Sequence, residues 1–139
     1  MKKILIGGTF DLFHCGHLMM FKRAKEFGDY LVVFVSSDKE TKQLKGGRRP
    51  IIPGKERAEI VKNISCVDEV LYSEDIITNE STLDIVKPNI YIQNLGSYDR
   101  EIEEACDKRN IVIIKIPRQI PKSCLDTTKI INKIWDTKK

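Results

Sequence analysis

A doubly wound α/β fold, a five-stranded parallel sheet with helices on both faces, is what this sequence predicts, and three observations predict it. Short β-rich runs alternate with amphipathic stretches along the whole chain, the pattern of a parallel sheet covered by helices. One run, Tyr30–Val35, is almost continuously apolar, as expected of a central strand buried on both faces. At 139 residues, with no internal repeat or low-complexity segment, residues 1–139 read as one domain long enough to bury a full core.

Each element follows in order. The first strand, Lys3–Ile6, runs into Gly7-Gly8. A helix is expected from about Gly16 to Phe27, with Leu18, Phe21 and Ala24 at helical spacing and Gly28 as its stop. After Tyr30–Val35, the stretch from Ser37 to Pro50 reads as a polar, basic loop. Pro53 opens a helix carrying Arg57, Ala58, Val61 and Ile64. Val67–Tyr72 is the third strand, a short helix near Thr82–Val86 ends before Pro88, and Asn89–Gln93 is the fourth strand. Tyr98–Arg109 is an amphipathic helix, Ile111–Ile116 the fifth strand and Thr127–Trp135 the last helix, with Asp126 suited to cap it. Ile130, Ile131, Ile134 and Trp135 share a face expected to pack.

Composition narrows the partners. A net charge of +4 is too mild to call for nucleic acid, though a local basic patch would serve an anionic small molecule. The opening Met1-Lys2-Lys3 leads into too few apolar residues for a signal-peptide core, and no run is long enough for membrane insertion. The four cysteines, Cys15, Cys66, Cys106 and Cys124, are widely spaced without a C-x-x-C pair, which fits a reducing cytoplasm better than a disulfide framework or a zinc site. His14-Cys15-Gly16-His17 is poorly spaced for one tetrahedral ion, so no protein-held metal is expected there.

The segment Gly8-Thr9-Phe10-Asp11-Leu12-Phe13-His14-Cys15-Gly16-His17 holds both histidines of the chain. It follows the first strand and opens the first helix, where free backbone N–H groups favour anions. Glycines at the strand end let the backbone approach a ligand closely, and histidines three apart share one helix face. Neither the dinucleotide fingerprint nor a P-loop fits the spacing. In a doubly wound sheet this segment lies where ligands bind, beyond the carboxyl ends of the strands.

These residues resemble the H-x-G-H signature of the cytidylyltransferase-like nucleotidyltransferases. The likeness continues through Lys45, Arg57, Val67-Asp68-Glu69-Val70, Pro117-Arg118 and Thr127-Thr128-Lys129-Ile130, and so covers nearly the whole chain. It implies a Rossmann-like domain that moves a nucleoside monophosphate from CTP or ATP to a phosphorylated acceptor and releases pyrophosphate. It implies nucleotide contacts at Gly8, Thr9, Phe10, Asp11, His14, His17, Asn94, Gly96, Thr127 and Thr128. Lys45, Arg57 and Arg118 become acceptor-phosphate residues, with Lys45 also catalytic, and Arg48 and Arg49 helping to attract anions. His14 and His17 would stabilise charge on the α-phosphate and the departing pyrophosphate, since a phosphate monoester is largely dianionic at neutral pH and needs no base. Mg²⁺ is expected with the triphosphate, with Asp11 suited to hold it or to orient a histidine. The resemblance also implies a homodimer.

Two segments depart from the family pattern. Between Arg118 and Thr127 the chain is longer, with Asp126 where serine is usual. The 93–99 loop, expected across the switch point from the histidines, matches neither the glycerol-3-phosphate cytidylyltransferase nor the heptose-phosphate adenylyltransferase pattern. Asp11-Leu12-Phe13-His14 and Pro117-Arg118 favour transfer of CMP to a phosphorylated alcohol such as glycerol 3-phosphate, for a cell-envelope polymer. Arg49-Pro50 and the 93–99 loop lean towards adenylyl transfer to a heptose 1-phosphate-like sugar or to FMN. A nucleotide-binding module without turnover is a third reading.

Overall fold

A computed structural model of the protein describes residues 1–117 and 124–138. Strands β1 (Lys3–Gly8), β2 (Tyr30–Val35), β3 (Glu69–Tyr72), β4 (Ile90–Asn94) and β5 (Val112–Ile116) form one sheet in the order β3-β2-β1-β4-β5. Every pairing is parallel, and β1 lies between β2 (Ile4 beside Leu31) and β4 (Ile6 beside Ile92). The winding reverses at the β1–β4 pair, so the switch point falls where the histidine motif leaves β1. The fold is the expected doubly wound α/β domain.

Helices α1 (Cys15–Lys25), α2 (Asp38–Lys45), α3 (Gly54–Lys62), α4 (Asn79–Val86), α5 (Arg100–Lys108) and α6 (Thr127–Asp136) connect and cover the strands. Because side chains alternate across a strand, β1 feeds two separate cores. Ile4 and Ile6 pack with Phe21 and Ala24 of α1 and Val61 of α3. Leu5 packs on the other face with Leu83 and Val86 of α4 and Ile102 and Ala105 of α5. The same alternation reaches the strand ends: Gly8 and Asn94 follow the first face, Gly7 and Gln93 the second. It divides the site described below.

Three expectations are corrected. The 37–50 segment is not all loop, because α2 occupies Asp38–Lys45 and the Ser37 hydroxyl accepts from Glu40 N at 3.1 Å. The spacing Ser37-x-x-Glu40 is a helix-start pattern that the lack of an apolar stripe obscured. Helix α1 ends at Lys25, and Gly28 is not a left-handed cap. A β-carbon on Gly28 would come within 2.7 Å of Lys2 O, so glycine is there for close approach. On α6, Ile134 and Trp135 are exposed in this chain, with Trp135 63% accessible, rather than packed. Among the described residues no helix is long and apolar enough to cross a membrane.

Candidate active site

The motif folds tightly beyond β1. Phe10 and Leu12 both adopt left-handed backbone, at φ 54° and 51°, which costs a non-glycine residue about 1–3 kcal/mol. Asp11, its side chain fully buried, holds the turn from within. One carboxylate oxygen accepts from Ile51 N at 2.7 Å and from Arg49 Nε at 2.9 Å, and the other from Ile52 N at 2.9 Å. Burial alone would raise its pKa, but these N–H donors and the guanidinium charge outweigh it and leave the carboxyl below its usual value. Phe10 folds back over Gly8, where a β-carbon would meet its ring at 2.9 Å. Glycine at that position is therefore a packing necessity.

The histidines open α1. His14 is the N-cap, its Nδ1 accepting from Gly16 N at 3.1 Å, while His14 N donates to His17 Nδ1 at 3.3 Å. Each Nδ1 is thus an acceptor, so a neutral ring carries its proton on Nε2. The rings stack with centroids 3.7 Å apart, and His17 is wedged between Phe10 and Phe13. His14 Nε2 lies 3.2 Å from the Thr127 hydroxyl, which donates to Asp11 O at 3.2 Å. This relay binds the start of α6 to the start of α1. Asp126 caps α6 as expected, accepting from Lys129 N at 2.8 Å, which turns its charge to the helix's own N–H groups.

These residues surround one cleft of about 770 Å³ over the switch point. Gly8, Thr9, Phe10, Asp11, His14, His17, Lys45, Asn94, Thr127 and Thr128 all line it. So do Arg49 and several residues that sequence reasoning did not single out individually: Met20, Leu44, Tyr91, Gln93 and Ile102. Ser97, Tyr98 and Asp99 also line it, so the 93–99 loop does face the histidine motif.

Other expected site residues lie elsewhere. Arg57 is fully buried behind the wall of the cleft. Its Nε donates to Ile52 O at 2.8 Å, Nη1 to Thr9 O at 2.7 Å and Ser36 O at 2.9 Å, and Nη2 to Asp38 Oδ1 at 2.7 Å. It binds the motif, the end of β2 and the 51–52 segment together, with its donors turned to the protein rather than to an acceptor phosphate. Gly96, at φ 93°, is not among the cleft-lining residues; it occupies the third position of a turn closed by Ser97 N to Asn94 O at 3.0 Å. Asp11, with three N–H donors on its carboxylate, tethers the turn to the 49–52 segment. Among the described residues no cluster of three His, Cys, Asp or Glu could hold a metal. Arg118 lies outside the described residues.

Known proteins resemble this chain in sequence and fold. The cytidylyltransferase-like family model matches residues 5–135. The chain belongs to that family. It is 41% identical over 142 residues to an FAD synthase of Thermococcus sibiricus, covering 97% of this chain and 93% of that one. The bifunctional protein HldE of Helicobacter acinonychis is 37% identical over 102 residues, which span 73% of this chain but only 22% of HldE. Among solved structures, a lipopolysaccharide core biosynthesis protein of Thermoplasma volcanium superposes with a TM-score of 0.73 at 27% identity, over 86% of this chain and 99% of that one. The family's nucleotidyltransferase character and the Rossmann-like fold are thereby given for this chain.

Proposed function

We propose that this nucleotidyltransferase moves AMP from ATP to FMN, giving FAD and pyrophosphate. The match to FAD synthases over 96–97% of this chain and 93% of theirs supports this branch, the alternative reading of the sequence. The preference for CTP and glycerol 3-phosphate finds no such support and is not carried forward.

The observation that carries the chemistry is the pair of helix starts joined side by side on the cleft, with His14 Nε2 3.2 Å from the Thr127 hydroxyl. His14 and His17 open α1, Thr127 and Thr128 open α6, and both lie on the same cleft. The backbone N–H groups of two helix starts, beside imidazoles that can carry positive charge, suit a triphosphate. An oxygen of the FMN phosphate attacks the α-phosphorus, the bond from that phosphorus to the β-phosphate bridging oxygen breaks, and pyrophosphate leaves. The acceptor phosphate needs no proton removed, so the histidines serve as charge stabilisers. Lys45, ending α2 at the cleft, suits the acceptor phosphate or the α-phosphate. Mg²⁺ would arrive with the triphosphate and supply the charge neutralisation that the transfer needs.

A second reading, adenylyl transfer to a sugar phosphate, draws on the match to HldE. Pyrophosphate release measured with ATP or CTP against FMN, heptose 1-phosphate and glycerol 3-phosphate separates these readings. Turnover with ATP and FMN alone is the expected outcome. Nucleotide binding without turnover on any acceptor would make the chain a binding module.

A further inference from the structure

We infer that Gln93 reads the acceptor, its side-chain amide pairing with the imide edge of the flavin ring in the half of the cleft that lies beyond Gly7. This rests on FMN as the acceptor.

The sheet itself divides the cleft. Gly8, Phe10 and His17 belong to the α1 side, whereas Gly7, Tyr91 and Gln93 extend the alternation of the α4–α5 side. The histidines therefore border one half, and Gly7, Tyr91 and Gln93 border the other. Gln93 is only 8% accessible although it lines the cleft, and its Oε1 is buried without a hydrogen-bond partner. A buried amide oxygen left unmatched is unfavourable, so a polar group that enters the cleft and pairs with it gains from doing so. The terminal torsion of glutamine is broad, so rotating the amide turns Oε1 to the cleft wall the residue already forms.

The edge it would meet has matching chemistry. The isoalloxazine imide presents one N–H between two carbonyls. A single glutamine amide answers it with Oε1 as acceptor and Nε2 as donor.

The surroundings fit a flat ring. Gly7 and Gln93 each follow the last paired residues, Ile6 of β1 and Ile92 of β4, and a β-carbon on Gly7 would meet nothing nearer than Phe34 at 3.5 Å, an ordinary contact. Packing alone does not demand glycine at that position, and its bare backbone leaves the floor open. At the rim, Leu44 and Tyr98 line the same cleft while remaining 71% and 76% accessible. Tyr98 has Lys115 Nζ 6.0 Å from its ring centroid, and that ammonium also donates to Ser97 O at 3.3 Å and pairs with Glu103 at 3.1 Å. The loop is thereby held with an electron-rich ring at the mouth, suited to stack on an electron-poor one.

The test compares FMN with FMN methylated at its imide nitrogen, measuring affinity by quenching of flavin fluorescence in the wild type and in Gln93→Leu. Wild type is expected to bind the methylated ligand about ten-fold more weakly or worse, because the methyl removes the donor and leaves the amide unpaired. In Gln93→Leu that ratio collapses towards one, with affinity for a non-hydrolysable ATP analogue unchanged. A merely structural glutamine would not move the ratio. Equal affinity of wild type for both flavins overturns the inference while leaving FMN as the acceptor. So does a Gln93→Leu effect confined to the ATP analogue. A wild type that neither binds nor adenylylates FMN overturns the acceptor assignment and the inference with it.

Discussion

Replacing Arg57 with methionine separates a structural arginine from a phosphate-binding one. The substitution nearly conserves volume but strands the carbonyls of Thr9, Ser36 and Ile52, which now accept from the guanidinium. Each buried acceptor left unsatisfied costs about 1 kcal/mol or more. Asp38, half-exposed, can rehydrate once its partner is gone, so its loss adds little. The sum is about 3–5 kcal/mol. For a chain of this size that lowers the Tm by roughly 10–20 °C. Thermal unfolding followed by circular dichroism reads it, alongside KM for both substrates at a temperature where the variant is still folded. A variant that keeps its Tm within about 2 °C of wild type and instead loses affinity for the acceptor would show that Arg57 binds phosphate after all.

Two further outcomes follow from the same geometry. His17→Ala should lower turnover by roughly 100-fold or more while the protein stays folded, as removing one preorganised donor does; near-full kcat by pyrophosphate release would remove His17 from the chemistry. Asp11→Asn concerns acid stability. Because its folded pKa is depressed, the Asp11 tether contributes stability above the unfolded carboxyl value of about 3.9 and loses it as pH falls through the lower folded value. The variant should therefore be less stable at pH 7 and show a shallower loss in urea titrations below about pH 4. Parallel acid limbs would contradict that.

Much of this was legible in the sequence because it depends on local pattern. The alternation of runs named the fold, and the motif after β1 placed the site, since a doubly wound sheet puts ligands at that switch point. Asp126 declared itself as a cap from its position before the helix. What escaped depends on tertiary partners. Arg57 has the residue type and position of a ligand arginine, and only the folded chain shows three carbonyls and a carboxylate around it. Asp11 looked like a metal or histidine partner, yet its acceptors meet backbone N–H groups forty residues away in sequence. Gln93 left one trace, a polar residue continuing an apolar strand. Its placement opposite the histidines comes from strand register. Helix α2 was hidden because a short, exposed helix needs no apolar stripe, although Ser37 and Glu40 carried its start.

Adenylyl transfer to FMN shows itself in its product. Purified protein incubated with ATP, Mg²⁺ and FMN should form FAD, resolved by chromatography, in step with pyrophosphate released. CTP in place of ATP, or glycerol 3-phosphate in place of FMN, should give little product. Preferential formation of a CDP-alcohol from CTP, with no FAD from ATP and FMN, would make the protein a cytidylyltransferase instead.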